Sequence, residues 1–521
     1  MSRAGSVSAA TMTSRVLGLL RDHIFAKLFG AGVISDALVV AFRIPNLLRD
    51  LFAEGALSSA FVPTFTQHRR EHGDNGAFRL ARVVLTFLLL VVGVLTLLGI
   101  VFTPGLVSLI APGFDTNTVA PNGDVNQREL TIELTRWMLP FLLFVSIASV
   151  FRGILNSYHR YFLPALAPAL FNVTAIAVGY GLWFADVPQT TAVFGWALAV
   201  LGGGLVQLLV LAAPLSRLGF RFRPLLALRD SGLHRIMRLM APATLGLAAV
   251  QINIVVNTIL ASLVETGAPS WLQYGFRLTY LPIGVIGVAI ATVSTVNLSQ
   301  HASSGDRTNF STELVSSLRL VGFLTLPATI GLIVLSEGIV KLLFQYGEFD
   351  ARATTQTATA LVYYSYAIFF FSGIKVLAPA FYALDRVRAP VIASCAGVVI
   401  NLIWSLSTYK VWGHAALAFG STLAAAVNFI VLLWAIRRTI ATAPGLLRGL
   451  TAMLFLSLAM GAAVYALHTQ LVAEFGTETL AARCLVLIPI AAGATIIFVG
   501  GRALRLPEAY DLTRAFSRKR G

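Results

Sequence analysis

Fourteen apolar stretches, most of them 20 to 30 residues long, follow one another along the chain with short polar connections, and this pattern limits what the chain can fold into. A helix needs about 20 mainly apolar residues to cross the roughly 30 Å hydrocarbon core of a bilayer. Inside that core every backbone N–H and C=O has to be satisfied within the protein, which leaves helices or a closed barrel, and runs of this length select helices. The spans are expected at 7–29, 33–66, 80–103, 129–155, 162–184, 191–213, 234–263, 270–299, 313–335, 354–381, 389–409, 414–436, 446–468 and 480–501. Of the 521 residues, 57% are hydrophobic and 12% charged, against about 25% charged in an ordinary soluble domain. That composition excludes a soluble enzyme, a disordered chain and a coiled coil. The first span carries Arg15 and Arg21 near its middle and lacks a clean small-residue cleavage site, so it reads as helix one and not as a signal peptide. Cys395 and Cys484 lie inside apolar runs, so neither a disulfide framework nor a cysteine metal site is expected.

A net charge of +16 and a pI near 10.3 would suit a nucleic-acid binder, but the placement of the basic residues removes that reading. With the N-terminus in the cytoplasm, the segments on that side collect Arg3, Arg69, Arg70, Arg79, Arg82, Arg152, Arg160 and six arginines between Arg217 and Arg238. They also collect Arg307, Arg386, Arg388, Arg437, Arg438, Arg448 and the basic tail from Arg502 to Arg520. The opposite connections carry Asp115, Asp124, Asp186, Glu265, Glu348, Asp350, Glu474 and Glu478. By the positive-inside rule both termini are expected in the cytoplasm of a multi-pass inner-membrane protein with an even number of spans. Attraction to anionic membrane lipids is a secondary consequence, and no nucleic-acid partner is expected.

A faint internal repeat divides the spans. Phe42-Arg43-Ile44-Pro45 runs to Gln67-His68, and Phe276-Arg277 with Pro282 runs to Gln300-His301, an offset of about 233 residues. Arg160, Pro164 and Asn172 find echoes in Arg388, Pro390 and Asn401 at about 226 to 229. The expected architecture is all-α: an N-terminal lobe at 1–216 (helices 1–6), a C-terminal lobe at 217–440 (helices 7–12), and 441–521 with helices 13 and 14 and the basic tail. Pseudo-symmetric halves with a site near the midplane are how many transporters are built.

The chemistry lies in the charges that interrupt the spans. Span one holds Arg15, Arg21 and Asp22; span two holds Asp36, Arg43, Arg49, Asp50 and Glu54; span eight holds Arg277 and span ten Lys375. An arginine at a helix centre costs about 2.5–3.5 kcal/mol on insertion scales, so such residues belong in a bundle interior or a water-filled cavity. At 100° per residue, Asp36, Arg43 and Glu54 fall within about 20° of one face, as do Arg15 and Asp22. Internal pairing of Arg15 with Asp22, and of Arg43 with Asp36 or Glu54, is one reading. Yet six cations meet four anions, and the surplus is costly in low dielectric unless an anion visits. The planar fork of arginine suits phosphate oxygens, which favours a diphosphate over a monocarboxylate. Pro45 is expected to kink span two. Gly30-Ala31-Gly32 reads either as an outer hinge or as a plain tight turn. Catalysis is weakly supported: no HExxH, GxSxG or P-loop occurs, His68 and His72 read as a solvated turn, and Gly202-Gly203-Gly204 reads as a close-packing stripe.

Thr13-Ser14-Arg15-Val16-Leu17-Gly18, Arg21-Asp22, Ser35-Asp36-Ala37, Pro45-Asn46-Leu47-Leu48-Arg49, Phe52-Ala53-Glu54-Gly55 and Phe61-Val62-Pro63 resemble the N-terminal signature of the MurJ (MviN) lipid II flippases. The likeness continues through Gly153, Asn156, Pro164 to Pro168, Tyr274, Arg277 to Gly287, Phe381 to Asp385, Pro390 and Asn401, covering about 7 to 440. The resemblance implies a transporter of the multidrug, oligosaccharidyl-lipid and polysaccharide exporter superfamily, not an enzyme. It implies two six-helix lobes around a central cavity, with helices 13 and 14 forming a groove for a lipid tail. The implied substrate is lipid II, an undecaprenyl diphosphate bearing a disaccharide-pentapeptide, flipped by alternating access for peptidoglycan synthesis, with cell-wall synthesis proteins as further partners. By matching position Arg15, Arg21, Arg49 and Arg277 are the implied cavity arginines, with Arg43 supplying charge. Asp22, Asp36, Glu54, Gly30 and Gly32 are implied as gating or arginine-positioning residues. No cofactor is implied. Some members are expected to hold a cation through an acidic residue on helix seven; that span offers only Gln251, Asn253 and Asn257, so Asn257 and Asp385 are weak metal candidates. Membrane potential is the expected energy source, ahead of a monovalent cation or proton. Other readings are an exporter of a different polyprenyl-diphosphate-linked oligosaccharide, a membrane-embedded glycosyltransferase or a cell-wall scaffold.

Overall fold

The computed structural model describes residues 3–51, 56–114, 126–439 and 445–510. The architecture is all-helical, and the chain packs into two compact units, Met1–Ser270 with Tyr346–Phe349, and Trp271–Gln345 with Asp350–Gly521. The repeat in the sequence divides at 216/217, whereas packing keeps one more long helix with the first unit.

In the first unit the chain runs through α1 (Arg3–Phe29), α2 (Val33–Arg49), α3 (Ala56–Val101), α4 (Thr103–Ile110), α5 (Gln127–Met138), α6 (Phe141–Ser157), α7 (Phe162–Phe184), α8 (Gln189–Arg217) and α9 (Ser231–Val264). Polar residues set several starts: Asn126 accepts from the amides of Arg128 and Glu129, and Asp230 from those of Gly232 and Leu233. α3 packs on α6 and α9 around Phe61, Phe65, Leu80, Ile154 and Leu233, which is why α9 belongs to this unit. α1 lies against α7, and α7 against α8. Lipid tails are as apolar as leucine, so close approach and not water exclusion holds such helices together. A Cβ on Gly203 would meet the Phe171 ring at 2.7 Å, and one on Gly204 the Phe141 ring at 2.7 Å, so the glycine stripe serves packing.

The second unit follows with α10 (Ala268–Pro282), one π-helical turn (Ile283–Gly287), α11 (Val288–Ser303), α12 (Arg307–Val334), α13 (Ser336–Phe344), α14 (Ala351–Ser365), α15 (Ala367–Ala383), α16 (Arg388–Thr439), α17 (Leu446–Phe475), α18 (Leu480–Cys484) and α19 (Leu487–Ala503). The π turn directly follows Pro282, whose ring and missing N–H disturb the regular hydrogen-bond ladder. Asp306 and Asp350 cap α12 and α14 by accepting the amides of Asn309 and Ala353. α15 packs with α11, α12 and α16 around Leu298, Phe310, Leu314, Phe381 and Phe429. α17 and α19 pair with each other and lie on α12 around Phe323, Met453, Met460 and Ile497.

Among the described residues nine helices are long and apolar enough to cross a membrane, or ten when α14 and α15, bent by 41°, count as one. Two connections expected as loops contract to a kink at a single glycine. Gly73 (φ 69°, ψ −174°) breaks α3, and Gly413 (φ 58°, ψ −139°) breaks α16. Pro45, by contrast, sits inside α2, which runs on to Arg49 and ends in a π-type turn at Asp50 and Leu51. Beside the Gly73 break, Arg69 donates to Asp74 at 2.7 Å and to the Ser157 carbonyl at 3.2 Å, and its guanidinium lies over the Tyr158 ring. The Tyr158 hydroxyl also donates to Asp74, at 2.7 Å; burial first and that bond second push its ionisation up to about 12.

The backbone region of Gly73 is essentially reserved to glycine, and a side chain there costs on the order of 1–3 kcal/mol. No atom lies within 4 Å of a Cβ built on Gly73 or on Gly93, which sits inside the regular part of α3. Gly73→Ala should therefore lower the unfolding midpoint of the purified protein through backbone strain alone, while Gly93→Ala should raise it by relieving about 0.5–1 kcal/mol of helix-interior glycine entropy. Equal shifts for the two variants would refute the backbone account of the break.

Candidate functional site

The charged residues of α1 and α2 sort into local pairs and one long-range clasp. Arg21 donates to Oδ1 of its neighbour Asp22 through Nε (3.2 Å) and a terminal nitrogen (2.7 Å). Its other terminal nitrogen donates to Asn172 Oδ1 on α7 at 3.2 Å, and the guanidinium lies 5.8 Å from the centre of the Phe171 ring. Asn172 in turn donates to the Ser14 carbonyl at 3.0 Å, so one amide ties Arg21 to the turn that carries Arg15. Asp22 thus pairs with Arg21 and not with Arg15, although Arg15 shares its helix face; adjacency lets the arginine fork fold back on the carboxylate.

The pattern repeats at the end of α2. Arg49 donates to Asp50 Oδ1 through Nε (3.0 Å) and a terminal nitrogen (2.8 Å), and Gln251 on α9 donates to Asp50 Oδ2 at 3.2 Å. Gln251, weighed as part of a cation site, is a buried residue that holds this carboxylate. Arg15 and Arg43 are half-buried. Between Arg15 and Asp50 five Lys and Arg face three carboxylates, so a positive surplus persists in the first unit.

Asp36 finds its partners far along the chain. It is fully buried, and both carboxylate oxygens are engaged at residues 267–270: Oδ2 by the Gly267 amide at 2.6 Å, Oδ1 by the Ser270 amide at 3.0 Å and by the Ser270 hydroxyl at 2.6 Å. The pairing with Arg43 read from their shared helix face gives way to these donors. An anion at the first turn of a helix meets unsatisfied N–H groups and the positive end of the helix dipole, which explains the choice. Ser35 joins the cluster through Ser270 and closes the turn before α2, accepting from the Gly32 amide at 2.7 Å and donating to the Gly32 carbonyl at 3.0 Å.

Gly30 (φ 58°) and Gly347 (φ 59°) are held against each other's chains: a Cβ on Gly30 would strike the Glu348 carbonyl, and one on Gly347 the Lys27 carbonyl. The Glu348 amide donates to Lys27 O at 3.1 Å, and His23 meets Tyr346 edge-on at 5.1 Å. In this conformation residues 30–32 form a clasped tight turn. Glu54 lies outside the described residues.

In the second unit Arg277 is exposed on α10, next to Phe276, whose ring packs on Tyr280 and Tyr364. Lys375 lies 5.9 Å from the Tyr280 ring centre. The weak metal candidates fall in unlike places: Asn257 is half-buried on α9, and Asp385 is exposed in a turn at φ 57°. Asn172, Gln251 and Ser270 hold the charged residues in ways that the sequence did not indicate. Amides inside apolar spans were the available signal for the first two; nothing marked Ser270.

An all-helical body with nine or ten spanning-length apolar helices among the described residues, and with arginines braced by carboxylates and amides, defines a polytopic membrane protein. An inward-facing multidrug resistance MATE family transporter of the MOP superfamily superposes with a TM-score of 0.67 at 18% identity, over 81% of this chain and 94% of that one, a likeness of fold. The model of the family "Lipid II flippase MurJ" matches residues 25–486, and the chain belongs to that family. The lipid II flippase MurJ of Burkholderia cenocepacia is 34% identical over 83% of each chain. A solved lipid II flippase MurJ in an inward closed conformation superposes with a TM-score of 0.79 at 25% identity, over 96% of this chain and 99% of that one. The family is one of transporters and not of enzymes, and its many apolar helices make this chain a multi-pass inner-membrane protein. Arg43, Arg49 and Arg277 fall within the matched residues; Arg15 and Arg21 precede them.

Removing the Asp36 carboxylate strands the Gly267 and Ser270 amides, and each buried unsatisfied group costs about 1–3 kcal/mol. Asp36→Ala should therefore lower thermal stability strongly, Asp36→Asn should retain part of it through one acceptor oxygen, and Ser270→Ala should lie nearest to the parent. Unfolding midpoints of the purified variants rank them; an unshifted Asp36→Ala midpoint would disprove the clasp.

Proposed function

We propose that this protein moves lipid II from the cytoplasmic to the outer leaflet by alternating access, with Arg15, Arg21, Arg43, Arg49 and Arg277 as the residues that take the diphosphate. The observation that carries this reading is the way Arg21 and Arg49 are held. Each is fixed by an adjacent carboxylate, and an amide from another helix braces the arginine or its carboxylate in turn, Asn172 for Arg21 and Gln251 for Asp50. A guanidinium held in this way meets phosphate oxygens with little ordering left to do.

The membrane layout in this reading has fourteen crossings in two six-helix lobes plus two helices, with both termini in the cytoplasm. The kinks at Gly73 and Gly413 separate two crossings each, α14 with α15 makes one, and α1 and α9 are two more. α17 and α19, paired over α12, supply an apolar groove suited to the prenyl tail. Gly30 with Gly32 and Asp36 act at the outer turn, where release of the Lys27–Glu348 and Asp36–Ser270 contacts would accompany opening. Glu54 is assigned to arginine positioning by its place in the motif. The engagement of Gln251 with Asp50 favours membrane potential over a cation bound on α9 as the energy source.

A charge-assisted hydrogen bond is worth about 1.5–3 kcal/mol, so loss of one arginine should weaken head-group capture at least about tenfold. Arg21→Ala, Arg49→Ala and Arg277→Ala should each abolish complementation of a flippase-depleted strain at normal expression, and rapid inactivation of the protein should remove lipid II from the outer leaflet in an accessibility assay. Growth of all three variants would sink the charge-capture model; outer-leaflet lipid II persisting after inactivation would reject the flippase reading itself.

A further inference from the structure

We propose that His68, Glu71 and His72 form a binding site for a divalent transition-metal ion of the Zn²⁺ class, at the break between the two halves of α3. The transport chemistry makes no use of these residues, and the sequence alone reads them as a solvated turn.

Three features of the geometry carry the site. One ligand atom from each side chain lies within 4.8 Å of the other two. The two imidazoles are one helical turn apart, so they project from the same face, and their rings stack with centroids 4.2 Å apart at 25°. Histidines four residues apart on a helix face are the spacing by which helices chelate zinc. Glu71 is oriented as well, since Gln67 donates to its Oε1 at 2.7 Å, and Oε2 lies 4.0 Å from His72 Nδ1. Among the described residues no hydrogen bond engages either imidazole, so both rings are available to a ligand.

Zinc bound by two histidines and a carboxylate has bonds of about 2.0–2.2 Å, which sets ligand atoms about 3.3–3.5 Å apart in a tetrahedron. The three groups need to close by roughly 1 Å, within the reach of side-chain rotation at half-exposed positions. Of the neighbouring cations that would oppose a metal, Arg69 is spent on Asp74, Ser157 O and the Tyr158 ring, and Arg79 lies 3.7 Å from the Asp230 carboxylate. The chain folds back closely here, because a Cβ on Gly76 would strike His72. An ion at this point joins the last turn before Gly73 into one chelate and stiffens the break. Imidazole nitrogens with a single carboxylate select Zn²⁺, Ni²⁺ or Cu²⁺ over Mg²⁺ and Ca²⁺.

The test uses the full-length protein purified without a polyhistidine tag and stripped by a chelator. Zn²⁺ is titrated against a chromophoric competitor, and Co²⁺ is used to read coordination from its visible absorption. The parent should bind one equivalent unaffected by millimolar Mg²⁺. His68→Ala and His72→Ala should each weaken binding at least tenfold and abolish the tetrahedral Co²⁺ band, and Glu71→Gln should weaken it less. His301→Ala, at a helix end elsewhere, should leave binding unchanged. Parent affinity no higher than that of a chain carrying both His68→Ala and His72→Ala, or a Co²⁺ band that survives in that chain, would overturn the site.

Discussion

A guanidinium within a membrane-spanning bundle must find its polar surroundings in the protein itself, and much of the first unit is arranged to supply them. With few water molecules to screen the charge in such a bundle, a close partner that is itself satisfied is favoured. Arg21 and Arg49 both meet this demand with the residue next in sequence. Adjacent pairing is robust because it survives any movement of one helix past another. The amides of Asn172 and Gln251 then fix the direction in which each pair faces. The result is positive charge held in place.

The same absence of water governs the packing. With lipid on the outside, burying leucine gains little, and helices associate where small residues admit rings from neighbours. Gly153 against Phe61, Gly203 against Phe171 and Gly204 against Phe141 are such contacts, each leaving no room for a methyl group. Glycine also does the opposite task at Gly73 and Gly413, where a single residue of positive φ replaces a connecting loop.

Asp36 shows how a local rule yields to a distant partner. Its place on the face of Arg43 suggested an ion pair, yet the first turn of α10 offers two amides and a hydroxyl pointing at one spot. Three directed donors in a fully buried setting outweigh a charge two helical turns away along the same helix. The amide of Asn172 behaves similarly: in the sequence it was only an echo of Asn401, and in the fold it joins α7 to Ser14 and Arg21.

The sequence by itself determined the all-helical membrane body, the residues at which charge enters the spans, and the resemblance to the flippase family. Those follow from hydropathy and helical period, which are local properties: an apolar run of spanning length can only be a helix in lipid, and an arginine inside it is visible wherever it sits. Only the tertiary structure decided the partners. Asp36 with Ser270, Asp50 with Gln251, Gly30 with Glu348 and Arg21 with Asn172 join residues more than 150 positions apart. Which of several competing donors reaches a buried carboxylate depends on how helices are set against one another, and helical periodicity carries no information about that.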